Sequence, residues 1–165
     1  MSSACRLVPV EVLEPQAISN VLNAYARLEI EDMELVDHLC KATTRCRPED
    51  LTAQGVANTV NALAKFGVRD DALLNHIAEV IVETLVPNSL SAPSKEAAWR
   101  HKGMGFRGFD PQAVANVANA YARLNFRHDD LFRELGTQAL ALPPEAWDHQ
   151  ALALVLNAYA KVCRN

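Results

Sequence analysis

Gln16, Asn20, Asn23 and Arg27 recur as Gln54, Asn58, Asn61 and Lys65, and again as Gln112, Asn116, Asn119 and Arg123. A fourth set reads Gln150, Leu154, Asn157 and Lys161. With spacings of three and four residues, each set falls within an arc about 60° wide on a helix. A merely solvated helix face carries Glu and Lys, because Asn is a poor helix former. Here the face is a narrow ridge of neutral amides closed by a cation. Amides both donate and accept hydrogen bonds, so such a ridge suits base edges, with the terminal Arg or Lys on a phosphate, as in helical-repeat RNA recognition.

A second reading competes with this one. Half-buried asparagines also bond to backbone groups of an adjacent element and lock neighbours together. Asn23, Asn61, Asn119 and Asn157 occur in every copy, which marks them as stacking scaffold. Asn20, Asn58 and Asn116 give way to Leu154 in the last copy, which leaves them for RNA contact. Arg27, Lys65, Arg123 and Lys161 complement the helix dipole at its C-terminal end, and a phosphate contact is their second use. With Gln16, Gln54 and Gln112, these outer asparagines and cations form the candidate RNA-binding set on the helices.

The elements that position the ridge follow from the repeat around it. The copies read "QAISNVLNAYARL", "QGVANTVNALAKF", "QAVANVANAYARL" and "QALALVLNAYAKV", starting at Gln16, Gln54, Gln112 and Gln150. Two of the three offsets are 38 residues, and the middle one is 58, a 38-residue unit with a 20-residue insertion. A fixed period of this size signals a stacked-repeat architecture. Before each glutamine stands Glu14, Thr52, Asp110 or Asp148, and Pro15 and Pro111 sit where the first helical turn tolerates proline. A second helix follows in three copies, with Leu35, Leu73 and Leu131 at one position and Leu39, Ile77 and Leu135 four residues on. That spacing puts them on one apolar face. Asp32, Asp70 and Asp129 lie near its start, where the dipole favours a carboxylate.

Neither helix of such a hairpin buries its apolar face alone, and stacking solves this. The expected fold is all-α, an α-solenoid of stacked helix-turn-helix hairpins with a 38-residue period. Residues 1–13 form an N-terminal extension, and 14–165 a single domain of three full repeats plus one half repeat. The half repeat leaves an apolar face that a partner or a continuation of the chain is expected to cover.

The insertion at about 87–109 reads "VPNSLSAPSKEAAWRHKGMGFRGF" from Val86. Lys95, Arg100, Lys102 and Arg107 stand there against Glu96 alone, so it is +3 while the rest of the −4 chain is −7. Trp99, Phe106 and Phe109 are interleaved with the cations. Charge beside aromatics suits RNA through phosphate contact and base stacking, which adds these four cations to the candidate RNA-binding set. The alternative is a loop whose aromatics pack back on the domain edge.

Composition narrows the rest. Half of the 165 residues are apolar and 22% are charged, which describes a folded chain. The acidic balance argues against indiscriminate binding to nucleic acid or anionic membrane. No apolar run reaches the length that spans a bilayer. Cys5, Cys40, Cys46 and Cys163 form no CxxC pair and read as reduced, mostly buried thiols. The opening "MSSACRLVPVEVLEP" has neither a secretory core nor an Arg/Ser-rich presequence, so location is not written there. His38 and His76 share one repeat position, which argues for packing. His101, His128 and His149 lack partners at metal-ligand spacing, and "HDD" at 128–130 reads as helix capping. With no Walker motif, nucleophile elbow or paired carboxylates, the expectation is a protein that is not an enzyme and takes no metal or cofactor.

The 38-residue helix pair, with "ANVANAYARL" and with "LPPEAW" at 142–147, resembles the octotricopeptide-repeat family and its heptatricopeptide relatives. The resemblance runs from about Glu14 onward, excluding the insertion. It implies an organellar location, mitochondrial ahead of plastid, and a role linked to organellar RNA. An acidic chain with few repeats and no RAP domain then points to a small subunit of an organellar ribonucleoprotein, such as a mitochondrial ribosome, contacting rRNA and other subunits. The alternative is a protein–protein scaffold, or an accessory subunit of another organellar complex, without RNA contact.

Overall fold

The computed structural model describes residues 8–9, 12–85 and 109–164. Lys95, Arg100, Lys102 and Arg107 lie outside the described residues, as does most of the insertion. Seven α-helices account for most of the remainder, and no strand occurs among the described residues. They are α1 (Pro15–Leu28), α2 (Met33–Thr44), α3 (Ala53–Phe66), α4 (Asp71–Leu85), α5 (Pro111–Arg123), α6 (Asp129–Ala141) and α7 (His149–Val162). Short 3-10 turns at Pro48–Asp50 and Pro144–Ala146 lead into α3 and α7. The protein is all-α.

Five of these seven helices begin where the sequence supplies an oxygen for a free backbone N–H. Thr52, Asp110 and Asp148 accept from Gly55 N, Ala113 N and Ala151 N at 3.0, 2.7 and 2.6 Å. Asp32 and Asp70 accept from Leu35 N and Leu73 N at 3.0 Å. The other two starts are built differently. Glu14 precedes α1 without a side-chain bond, and α1 relies on Pro15 instead. At α6 the cap is His128, whose Nδ1 accepts from Leu131 N at 3.2 Å, and Asp129 sits one residue inside as a first-turn anion. Three of the four odd helices, α1, α3 and α5, end alike. Glu29, Gly67 and Asn125 take positive φ of 56, 68 and 53°, and the next amide returns to Tyr25 O, Leu63 O or Tyr121 O. This is the left-handed closure that glycine and asparagine favour.

The odd helices lie side by side in chain order, α1 on α3, α3 on α5 and α5 on α7. The even helices form a second layer, α2 on α4 and α4 on α6. One continuous core runs between them, with Ile18, Leu22, Leu35, Leu39, Leu63, Leu73, Ile77, Leu131 and Leu135 fully buried. Helix α5 has neighbours on both sides, and Ala113, Ala115, Ala118, Ala120 and Ala122 are all buried. Small side chains on both flanks let adjacent axes approach closely.

At Phe109 the second reading of the insertion's aromatics, packing back on the domain, is the one that holds. Phe109 is a buried core residue, with its carbonyl 3.5 Å from Gln138 Nε2. It precedes α5 by two residues, as Leu51 precedes α3 and Trp147 precedes α7, and both of those pack against the core. Phe109 therefore belongs to the hairpin that follows it.

Tyr121 on α5 donates to Leu74 O on α4 at 2.7 Å, and Tyr159 on α7 donates to Phe132 O on α6 at 2.6 Å. Gly136 lies in the middle of α6, and a Cβ there would meet Tyr159 Oη at 3.0 Å. Ala78 stands four residues after Leu74 just as Gly136 stands four after Phe132, and Ala78 is fully buried beside an intact Tyr121 bond. The equivalent joint thus accommodates a methyl. Gly136→Ala is expected to raise stability by about 0.5–1 kcal/mol, the helix-interior preference of alanine over glycine. The readout is a higher urea midpoint at unchanged slope; a lower midpoint would mean that Tyr159 has no room to yield.

Candidate nucleic-acid interface

The ridge begins as an angular pattern on each odd helix, and packing decides whether it stays open. On α5, Tyr121 points to the even layer. At 100° per residue it lies about 170° around the helix from the centre of the Gln112, Asn116, Asn119 and Arg123 set. The ridge is therefore on the side of the odd layer turned away from the even helices. Exposure follows: Gln16, Gln54, Gln112 and Gln150 are exposed, as are Arg27, Lys65, Arg123 and Lys161. Asn20 is exposed, and Asn58 and Asn116 are half-buried. Four parallel ridges thus lie on adjacent helices of one layer.

Two ridge groups are already engaged. Gln112 Nε2 donates to Asn116 Oδ1 at 3.0 Å, a pairing one helical turn apart that orients both amides. Lys65 Nζ donates to Ala26 O on α1 at 3.2 Å, so this cation reaches the preceding helix end. Asn23, Asn61 and Asn119 are half-buried and Asn157 is exposed. Among the described residues, no hydrogen bond from these four side chains reaches a neighbouring hairpin.

Besides the Lys65 bond, the ties that cross between hairpins come from residues the sequence reading passed over. Tyr121 and Tyr159 each reach the preceding even helix, at equivalent carbonyls. Burial pushes the Tyr121 phenol well above its ordinary value and the Tyr159 phenol up to about 12. Their rings also make edge contacts, Tyr121 with Phe126 at 5.9 Å and Tyr159 with Phe132 at 5.4 Å. Arg69 adds a further tie: it donates to Asp71 at 2.6 Å and to Asn125 O at 2.9 Å, and stacks over Phe126 at 5.2 Å. The tyrosine was visible in the sequence as the recurrent "NAYA". An aromatic hydroxyl in an otherwise apolar stripe needs a buried acceptor.

His38 Nε2 donates to Val8 O at 3.0 Å and ties the segment before α1 to α2. At the equivalent place on α4, His76 Nε2 is buried with no partner among the described residues. Burial raises the Cys40 thiol to about 12, holding it in the unreactive protonated form. A cleft of about 470 Å³ lies between the starts of α1 and α3, with Gln16 of the ridge in its lining. Its hydroxyls are committed locally, Thr43 to Leu39 O and Thr59 to Gly55 O. Among the described residues no three His, Cys, Asp or Glu side chains are grouped to hold a metal ion. No described helix is long and apolar enough to cross a membrane. In comparisons with known proteins, no family model and no curated protein sequence matches the chain.

Proposed function

We propose that the chain is an α-solenoid of hairpins with a 38-residue unit, acting as a non-catalytic, RNA-contacting subunit of an organellar ribonucleoprotein, such as a mitochondrial ribosome. The observation that carries the RNA reading is the exposed amide-and-cation ridge repeated on α1, α3, α5 and α7. The solenoid reading is supported by the helix starts. Pro15, Ala53, Pro111 and His149 keep the spacing of the sequence repeat, and each odd helix packs on the next. In this reading the amides meet bases and the cations meet phosphates, while Tyr121 and Tyr159 hold the ridges in register. Neighbouring proteins of the complex take up the acidic remainder of the surface, which repels RNA.

The test is fluorescence anisotropy with a labelled single-stranded RNA at about 50 mM salt, where phosphate contacts are strongest. Replacing Asn20, Asn58 and Asn116 with alanine is expected to weaken binding by about 10- to 150-fold, at roughly 0.5–1 kcal/mol for each lost amide bond, and to leave the salt dependence unchanged. Absence of binding by the wild-type chain at low salt sinks the RNA reading and leaves a protein–protein scaffold, which the apolar surface on α7 favours.

A further inference from the structure

Interior odd helices show what each of their flanks is for. On α1, α3 and α5, the flank toward the following hairpin is buried: Ile18, Leu22 and Ala26, then Val56, Val60 and Ala64, then Val114, Ala118 and Ala122. On α7 the equivalent residues are Leu152, Leu156 and Ala160, and all are exposed, Leu152 at 48% and Leu156 at 62%. The opposite flank, toward the preceding helix, is buried on α5 as Ala113, Ala120 and Leu124. Its counterparts on α1, Ala17, Ala24 and Leu28, are exposed, Leu28 at 69%. The first and last odd helices therefore present the two halves of the interface that α1 and α3, or α5 and α7, make inside the molecule.

We propose that the 165-residue chain self-associates head to tail, with α1 of one copy seated on the open flank of α7 of another. The proposal rests on the stacking order described above and is independent of RNA contact. Leu156 and Ala160 meet Ala24 and Leu28 of the second copy, as Leu22 and Ala26 meet the flank of α3 inside the chain. Polar matching agrees. Inside the chain Lys65 Nζ donates to Ala26 O at 3.2 Å, and across the joint Arg27 stands where Lys65 does and Ala160 O where Ala26 O does. The joint repeats the odd-layer contact alone, so it buries less than an internal joint. A small interface of this kind gives weak, concentration-dependent association. Because the two faces differ, the contact is heterologous, and copies add without closing into a dimer.

Sedimentation velocity on the full chain, from micromolar to near-millimolar, reads the outcome as weight-average mass. The mass is expected to rise past the dimer value with concentration. Leu156→Glu on α7 and Ala24→Glu on α1 are each expected to hold the protein at monomer mass. Both sites are exposed, so both variants keep the wild-type circular dichroism and melting temperature. Mixing the two variants restores one joint, between the intact α1 of one and the intact α7 of the other, and the mass stops at a dimer. A wild-type chain monomeric throughout overturns the proposal. So does association that survives Ala24→Glu alone, which would mean that α7 pairs with another α7. RNA affinity is measured separately and does not bear on either result.

Discussion

Tyr121→Ala is expected to lower the stability of the protein by about 3–5 kcal/mol, the range for removing a buried aromatic side chain. Tyr121 is wholly buried, touches Phe126 edge-on and donates to Leu74 O, so its loss opens a cavity and removes the bond between α5 and α4. Against a usual total of about 5–15 kcal/mol this is a large fraction. At this chain length the melting temperature falls by roughly 10 °C. Tyr121→Phe separates the two contributions, because it keeps the ring and loses only the hydroxyl bond, about 0.5–1.5 kcal/mol. Tyr159→Ala should cost less than Tyr121→Ala, since Tyr159 is only half-buried at the outer joint. Thermal melts of the three variants settle the order, and an equal cost at both tyrosines would contradict it.

The same hydroxyls set an alkaline limit. Folding raises both phenols, so their neutral forms contribute stability that is fully present below the ordinary tyrosine value of about 10. That contribution is lost as pH rises from there through about 12 for Tyr159. Stability should hold to pH 10 and decline above it, and Tyr159→Phe should flatten the decline.

Replacing Arg27, Arg123 and Lys161 together with glutamine is expected to weaken binding to single-stranded RNA about 100-fold at 0.1 M monovalent salt. Each phosphate contact on a single strand contributes about 0.7 to the slope of log affinity against log salt. Losing three contacts lowers the slope by about 2, and at 0.1 M the same figure gives the loss in affinity. Lys65 is left out because it already bonds Ala26 O. The three replaced residues are exposed, so the variant folds and the comparison reports on binding. A variant that loses affinity at an unchanged slope would remove these cations from the phosphate role. The amide variant makes the opposite prediction, an unchanged slope with lower affinity.

Much of this molecule was legible before any coordinates. Thr52, Asp110 and Asp148 were readable as caps, because a cap is a contact across three residues. The amide ridge was readable because helical periodicity alone aligns residues three and four apart. Glu14 is not among the favoured cap types, and it makes no side-chain cap bond. Phe109 stayed open between base stacking and packing back on the domain, because its burial depends on the helix after it.

The sequence by itself determined the helices, their starts, and the polar stripe along every odd one, since each rests on interactions within one or two turns. Tertiary structure decided which groups tie hairpin to hairpin: the Tyr121 hydroxyl and its acceptor are 47 residues apart, and no local pattern pairs them. It also decided that the leucines of α7 stay open while their counterparts on α1, α3 and α5 are covered. Apolar residues in one repeat position look alike in sequence, and only the presence or absence of a neighbour makes one a core residue and the next a surface.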